Sequence, residues 1–227
     1  MSFDHVAWRP LPYSMGVPIG SDWQDKPADD PVFGLYTTCG FWSEGETDLL
    51  RSIAVQFSGS WLEIGAHTGW CTETLQTWDR HVIAIEPMFS NQEWYRRFVQ
   101  NLRPDWSYAN VMPWAGRSDQ YFAIHGGKFD GCLIDGDHEG DAPLNHAANC
   151  YERLNDRGVI ILHDFRGGPV YDAAKYLVDQ GMNWRVYPSV NMVFVAWRGE
   201  FNPPPDIQEG AVDWAKHYGL PEWVKRG

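Results

Sequence analysis

Short apolar runs alternate along the chain with longer stretches whose apolar residues recur at helical spacing. The first helical stretch runs from about Glu44 to Phe57, with Leu49, Leu50, Ile53, Ala54 and Phe57 on one face; Ser43 can cap it and Ser58-Gly59-Ser60 stops it. A strand over about Ser60–Ile64 follows, then Gly65-Ala66-His67-Thr68-Gly69 and a helix-compatible segment from Cys71 to Trp78. Strand, tight glycine turn and helix start let backbone approach a ligand closely, with free N–H groups pointing at it. His81–Pro87 reads as a second strand, and Asn91–Leu102 as a helix with Trp94, Phe98 and Leu102 on one face. A third strand near Ala109–Pro113 leads into Ala115-Gly116-Arg117-Ser118. Phe129–Asp135 is almost continuously apolar, as a strand covered on both faces should be. Then come a helix over about Ala142–Leu154, a strand over Val159–Leu162, and a helix from Gly167-Gly168-Pro169 to about Gln180. Trp184–Tyr187 and Met192–Trp197, split by Pro188–Asn191, read as an antiparallel hairpin.

Five strands alternating with helices predict an α/β fold, Rossmann-like and doubly wound. The hairpin would complete a mostly parallel seven-stranded sheet with an antiparallel C-terminal edge. In such sheets ligands sit beyond the carboxyl ends of the strands, near the topological switch point. Those ends carry Glu63, Glu86, Asp135 and Asp164. An unpaired carboxylate at the tip of a buried strand is costly, so four of them point to a functional cleft rather than to packing.

Composition narrows the function class. At 227 residues, one domain with decorations is expected. The net charge of −12 without a Lys/Arg cluster argues against nucleic acid as a partner. The four cysteines, Cys39, Cys71, Cys132 and Cys150, form no CxxC pair and read as free thiols of a reducing compartment. With no signal-peptide pattern and no membrane-length apolar run, the expectation is a soluble cytoplasmic protein with no membrane partner. Residues 1–45 mix Pro10, Pro12, Pro18, Pro27 and Pro31 with Trp8, Tyr13, Trp23, Phe33, Tyr36, Phe41 and Trp42, and so read as an irregular cover packed on a body or closing a pocket. Residues 46–200 form the expected binding domain, and 201–227 a tail with Pro203-Pro204-Pro205 and a short helix around Val212–Tyr218.

The glycine turn, the acid-tipped strands and their spacing resemble the class I S-adenosylmethionine-dependent methyltransferases. Glu63-Ile64-Gly65-Ala66-His67-Thr68-Gly69 is similar to that family's first motif, acid-x-Gly-x-x-x-Gly, which holds the methionine part of the cofactor. Glu86, 21 positions after Gly65 and followed by Pro87, stands where the family places the acid that takes both ribose hydroxyls. Gly116–Ser118 falls where adenine is contacted, with Arg117 in a place that often holds an acid. A nicotinamide enzyme shares the acid after the second strand, but Glu63 and His67 stand where its fingerprint wants glycines. The resemblance thus implies S-adenosyl-L-methionine as cofactor, bound by Glu63, Gly65, Ala66, His67, Thr68, Gly69, Glu86, Pro87, Ser118 and Asp135.

Ile134-Asp135-Gly136-Asp137-His138 and Leu162-His163-Asp164 are similar to methyltransferase domain family 24 and, more loosely, to metal-dependent O-methyltransferases of sugars and phenols. That implies methylation of a small-molecule hydroxyl, with His138 as general base and Asp135 beside it. It also leaves room for a divalent metal such as Mg2+ at Asp135, His163 and Asp164, although a histidine ligand would weaken the site for magnesium. The expected partner is a small-molecule acceptor, and a homo-oligomer stays open. The rival reading is a non-catalytic methyltransferase-fold module for binding or assembly, whose aromatic ends would form a partner surface.

Overall fold

The computed structural model describes residues 42–77, 79–102, 110–207 and 213–224. The expected cover over 1–45 lies outside the described residues except for its last four. Helix α1 (Glu44–Ala54) opens the described chain on a capping box: the Ser43 hydroxyl accepts from the Glu46 amide, and the Glu46 carboxylate accepts from the Ser43 amide. Next come β1 (Gly59–Ile64), α2 (Trp70–Leu75), β2 (Arg80–Ile85), a 3-10 turn over Pro87–Ser90, α3 (Gln92–Asn101) and β3 (Val111–Trp114). They are followed by α4 (Ser118–Ile124), β4 (Phe129–Ile134), α5 (Ala142–Arg153), β5 (Leu154–Leu162) and α6 (Gly168–Asp179). β6 (Asn183–Tyr187), β7 (Val193–Arg198) and α7 (Trp214–Tyr218) complete the order.

The sheet has the order β3-β2-β1-β4-β5-β7-β6. β3, β2, β1, β4 and β5 run parallel, and β7 pairs antiparallel with both β5 and β6. The expected seven strands and the terminal hairpin are thus present among the described residues. The order reverses between β1 and β4, which makes the ends of those strands the switch point.

Period-two alternation divides the core between the two faces. Leu62, Ile64, Ile160 and Leu162 pack with Phe122 of α4, Cys150 of α5 and Leu177 of α6. Trp61, Leu133, Val159 and Ile161 pack with Leu49 and Ile53 of α1, Leu75 of α2 and Phe98 of α3. The Trp61 ring lies flat against Gly131 of the neighbouring strand, where no Cβ would fit. Trp42, one of the aromatics of the expected cover, is buried, as is Trp214 of α7. The tail is tied down by bonds from the Tyr187 hydroxyl to the Pro204 carbonyl at 3.1 Å and from the Tyr218 hydroxyl to the Val190 carbonyl at 2.8 Å.

Four elements differ from expectation, the first being α2, which stops at Leu75 rather than Trp78. α1 ends at Ala54 rather than Phe57, because Gln56 and Phe57 take tight turns whose amides bond to Ile53 and Ala54. α4 was not legible as a helix; its seven residues start where the Gln120 side chain accepts from the Arg117 amide. β5 begins five residues early, at Leu154, and follows α5 without a loop. Asp130 supports the early start by accepting from Asn155, and a register shift between Phe129 and Gly131 absorbs the offset.

Candidate functional site

Backbone bonds just beyond the strands set the site. The Glu86 amide donates to Trp114, Gly65 to Ile85, Asp135 to Ile64 and His163 to Ile134, at 2.9–3.1 Å. Each strand tip is therefore locked to its neighbour, and Glu86, Gly65, Asp135 and His163 stand in a row across the carboxyl end of the sheet.

Gly65 adopts φ 90°, and Gly69, at the start of α2, φ 89°. A Cβ on Gly65 would lie 2.7 Å from the Gly136 Cα and collide with the Asp135 carbonyl. Its lack of a side chain lets the β1 and β4 tips touch. His67 also has positive φ, 46°, and its amide donates to Glu86 Oε2 at 3.0 Å. The Met88 amide donates to Glu86 Oε1 at 2.9 Å, with Pro87 at the first position of the 3-10 turn. Glu86 is thus fixed by two amides while each of its oxygens keeps a further acceptor lone pair. The His67 ring packs edge-on against Trp94, and Asn101 donates to the Thr68 carbonyl at 2.8 Å, so α3 buttresses the turn. Ala66 and Thr68 are buried, as is Ser118 at the first position of α4.

Glu63 points to the α2 side and accepts from the Thr72 hydroxyl. Burial is the main reason its pKa is pushed up to about 8; the Asp135 and Glu86 charges add to this, while Thr72 opposes it.

The second half of the row is a chain of titratable groups. His138 Nε2 lies 3.4 Å from Asp164 Oδ2 and 3.7 Å from Asp135 Oδ1, with the side chain 38% exposed. His163 Nδ1 lies 3.0 Å from Asp135 Oδ1, and its Nε2 lies 3.3 Å from Glu46 Oε2. The indole of Trp42 stacks on the His163 ring at 4.3 Å and donates to Asp135 Oδ2 at 2.7 Å. Arg166 pairs with Asp164, a non-glycine residue at φ 54°. Burial opposes charge on His163, but Asp135 and Asp164 raise its pKa well above the ordinary value. Burial likewise opposes charge on Asp164, yet His163, Arg166 and His138 hold its pKa down.

All the candidate residues named from the sequence lie on this row or beside it, apart from Ser118, which opens α4. Asp135, His138 and Asp164 each offer one donor atom, all within 4.8 Å of one another. His163 stands one step deeper, with both ring nitrogens facing carboxylates. Sequence reasoning missed Trp42, Glu46, Arg166 and Asn191. Only Glu46 left a trace, as the fourth residue of the Ser43 capping box. The three described cysteines, Cys71, Cys132 and Cys150, are buried free thiols.

The model of methyltransferase domain family 24 matches residues 62–165. No curated protein matches the sequence. Among solved structures, a Staphylococcus aureus protein assigned as a caffeoyl-CoA O-methyltransferase is similar at 19% identity and TM-score 0.56, over 67% of this chain and 82% of that one. A precorrin-6y C5,15-methyltransferase from Geobacter metallireducens is similar at 17% identity and TM-score 0.58, over 73% and 91%. An O-methyltransferase from Bacillus cereus in complex with SAH is similar at 14% identity and TM-score 0.51, over 70% and 82%. At these identities the solved structures speak for the fold, and the family match speaks for the domain. Residues 62–165 thus match a methyltransferase domain, on a fold that the solved methyltransferases share.

Proposed function

We propose that the protein transfers the methyl group of S-adenosylmethionine to the hydroxyl oxygen of a small molecule, a sugar or a phenol, with His138 as general base. The observation that carries this reading is the half-exposed imidazole of His138 beside two carboxylates at the switch point. Two acids facing Nε2 favour the tautomer with its proton there, which leaves Nδ1 to accept a proton. O-methylation is also what two of the similar structures are named for.

The residues present suit the cofactor. Gly65 keeps the strand tips bare, and Glu86 is fixed with acceptor capacity to spare for a diol. Buried Glu63, its proton held loosely at neutral pH, suits the cationic methionine end. When bound, the cofactor supplies a methyl group on a sulfonium, which leaves as a neutral thioether. The chain's own part is to hold the acceptor in line and to take its hydroxyl proton on His138 as the oxygen–methyl bond forms. Alignment contributes up to about 7–11 kcal/mol in well-oriented reactions, and a positioned base about 10²–10⁴-fold. Glu86→Ala should weaken binding of S-adenosylhomocysteine by about tenfold to a hundredfold, or roughly 1.4–2.8 kcal/mol, as read by calorimetry. Unchanged affinity would remove Glu86 from the cofactor site.

A divalent ion fits the acid pair poorly. The Asp135 oxygens already face the Trp42 indole N–H and the His163 ring, and Asp164 Oδ1 pairs with the Arg166 guanidinium, a fixed positive charge. The reading therefore places no step on a metal. The test is turnover against a panel of phenols and sugars, with and without chelator. Turnover that survives chelator and falls about 10²-fold or more in His138→Ala supports it. Loss of activity in chelator, restored by Mg2+, would overturn the metal-free version. No turnover of any acceptor by a protein that binds S-adenosylhomocysteine would favour the binding-module reading.

A further inference from the structure

Two ring nitrogens beside α4 are buried and have no hydrogen-bond partner among the described residues: Trp114 Nε1 and His146 Nδ1. Trp114 ends β3, and its ring meets that of Tyr121 in α4 edge-on at 5.5 Å. A Cβ on Gly116 would lie 2.9 Å from its Nε1, so this N–H lies against the loop that opens α4. His146 stands half-buried in the second turn of α5. Its Cε1 would lie 3.7 Å from a Cβ on Gly136, in the loop after β4. Burial is the main reason the pKa of the ring is lowered; Asp137 and Asp119 oppose this, while Arg117 and His138 add to it. Arg117 and Asp119 belong to the start of α4, and Asp137 and His138 to the loop after β4. The ring therefore sits between these two segments.

The chemistry of the two nitrogens says what would pair them. A buried polar group without a partner carries its full desolvation cost, so such groups mark places where a partner is brought in. The indole N–H can only donate. A neutral imidazole has one nitrogen that donates and one that accepts, and with its proton on Nε2 the buried Nδ1 is an acceptor. The matching group thus accepts at one place and donates at another. A purine with an exocyclic amine does both, since its ring nitrogens accept and its amine donates.

The order of the strands brings a base to the same place. With the ribose at Glu86 on the β2 tip and the methionine end at Glu63 on β1, the base leaves the other side of the sugar, toward β3. β3 leads into α4, which carries the chain back to β4. Trp114, the start of α4 and His146 are then the walls that the base meets.

We propose that His146 selects the base of the cofactor: its Nδ1 accepts from the 6-amino group of adenine and so distinguishes adenine from hypoxanthine. This rests on the reading of S-adenosylmethionine as cofactor. Hypoxanthine brings a carbonyl oxygen in place of the amine, and two acceptors then face each other until the ring changes tautomer.

The test is calorimetry of the full chain at pH 8 with S-adenosylhomocysteine and S-inosylhomocysteine, which differ at the 6-position of the base. The wild type should prefer the adenine ligand by about 10- to 100-fold. H146L should bind the two within about threefold of each other, through loss of affinity for S-adenosylhomocysteine. H146N, whose amide places a polar atom where Nδ1 stands, should keep that affinity within about threefold of the wild type. A merely structural role for His146 would weaken both ligands alike and leave their ratio unchanged. A variant that does not fold is covered by ¹⁵N NMR of the histidine-labelled wild type: the His146 Nδ1 resonance should move on addition of adenosine and stay on addition of homocysteine. Equal wild-type affinities, a folded H146L that keeps the preference, an H146N as weak as H146L, or a resonance indifferent to adenosine would overturn the proposal. A wild type that binds neither ligand would sink the cofactor reading, and this inference with it.

Discussion

Replacing Gly65 by alanine should give a protein that melts far below the wild type and no longer binds S-adenosylhomocysteine. Two costs add at this residue. Its φ of 90° is one that side-chain-bearing residues rarely adopt, at roughly 1–2 kcal/mol. The new methyl group would also meet the Asp135 carbonyl and the Gly136 Cα, both backbone, so no rotamer can relieve the contact. Overpacking of that kind adds about 1–3 kcal/mol. Together the loss is about 2–5 kcal/mol, which for a chain of this length lowers Tm by roughly 5–20 °C. Forcing β1 and β4 apart also moves Glu63 and Asp135, so binding should fail even at temperatures where the variant is folded. A Tm within a few degrees of the wild type, with affinity intact, would mean that the two strand tips do not need their close contact.

Glu63→Gln should have opposite effects on stability and on binding. In the fold the Glu63 pKa is raised from 4.5 to about 8, chiefly by burial. A raised carboxyl favours the folded state when protonated. Its contribution is complete below about pH 4.5 and is lost as pH rises through 8. Over that window the wild type gives up a few kcal/mol, on the order of 1.4 per pKa unit. Glutamine resembles the protonated acid and can still accept from Thr72, so the variant should be more stable than the wild type at pH 9 and similar to it at pH 4.5. Binding should run the other way. The ionised acid is the form that attracts the ammonium of the ligand, so wild-type affinity for S-adenosylhomocysteine should climb by up to about tenfold per pH unit below 8. The variant should bind weakly, without that slope. Denaturant melts and calorimetry at matched pH values test both halves; parallel pH profiles for the two proteins would show that Glu63 titrates elsewhere.

What could be read from the sequence was local. The strand–glycine–helix unit at Ser60–Trp70 and the acids at four strand tips declare themselves within windows of about ten residues, where period and turn chemistry act. The seven-stranded sheet follows from the order of such units. β5 was placed late because Asn155, Asp156 and Arg157 look like loop residues; their extension depends on Asp130, a partner from another strand. α4 is too short for a period to show. In the site, the family resemblance located Asp135, His138, His163 and Asp164, but not what holds them. Trp42 reaches Asp135 across 93 positions and Glu46 reaches His163 across 117. No window contains such a contact. The roles of His163 and of a metal therefore turned on neighbours that only the fold supplies.

The contact between Glu46 and Asn191 spans 145 positions, and this has a bearing on biosynthesis. A chain still being made on the ribosome completes residues 62–165 before Asn191 exists. Until then the Glu46 carboxylate lacks both of its Asn191 donors, and the face of α1 that carries it is better left in water. Final seating of α1 is expected to wait for the β6–β7 turn to emerge. A nascent or truncated chain would thus hold all of residues 62–165 before the contacts of Glu46 are complete.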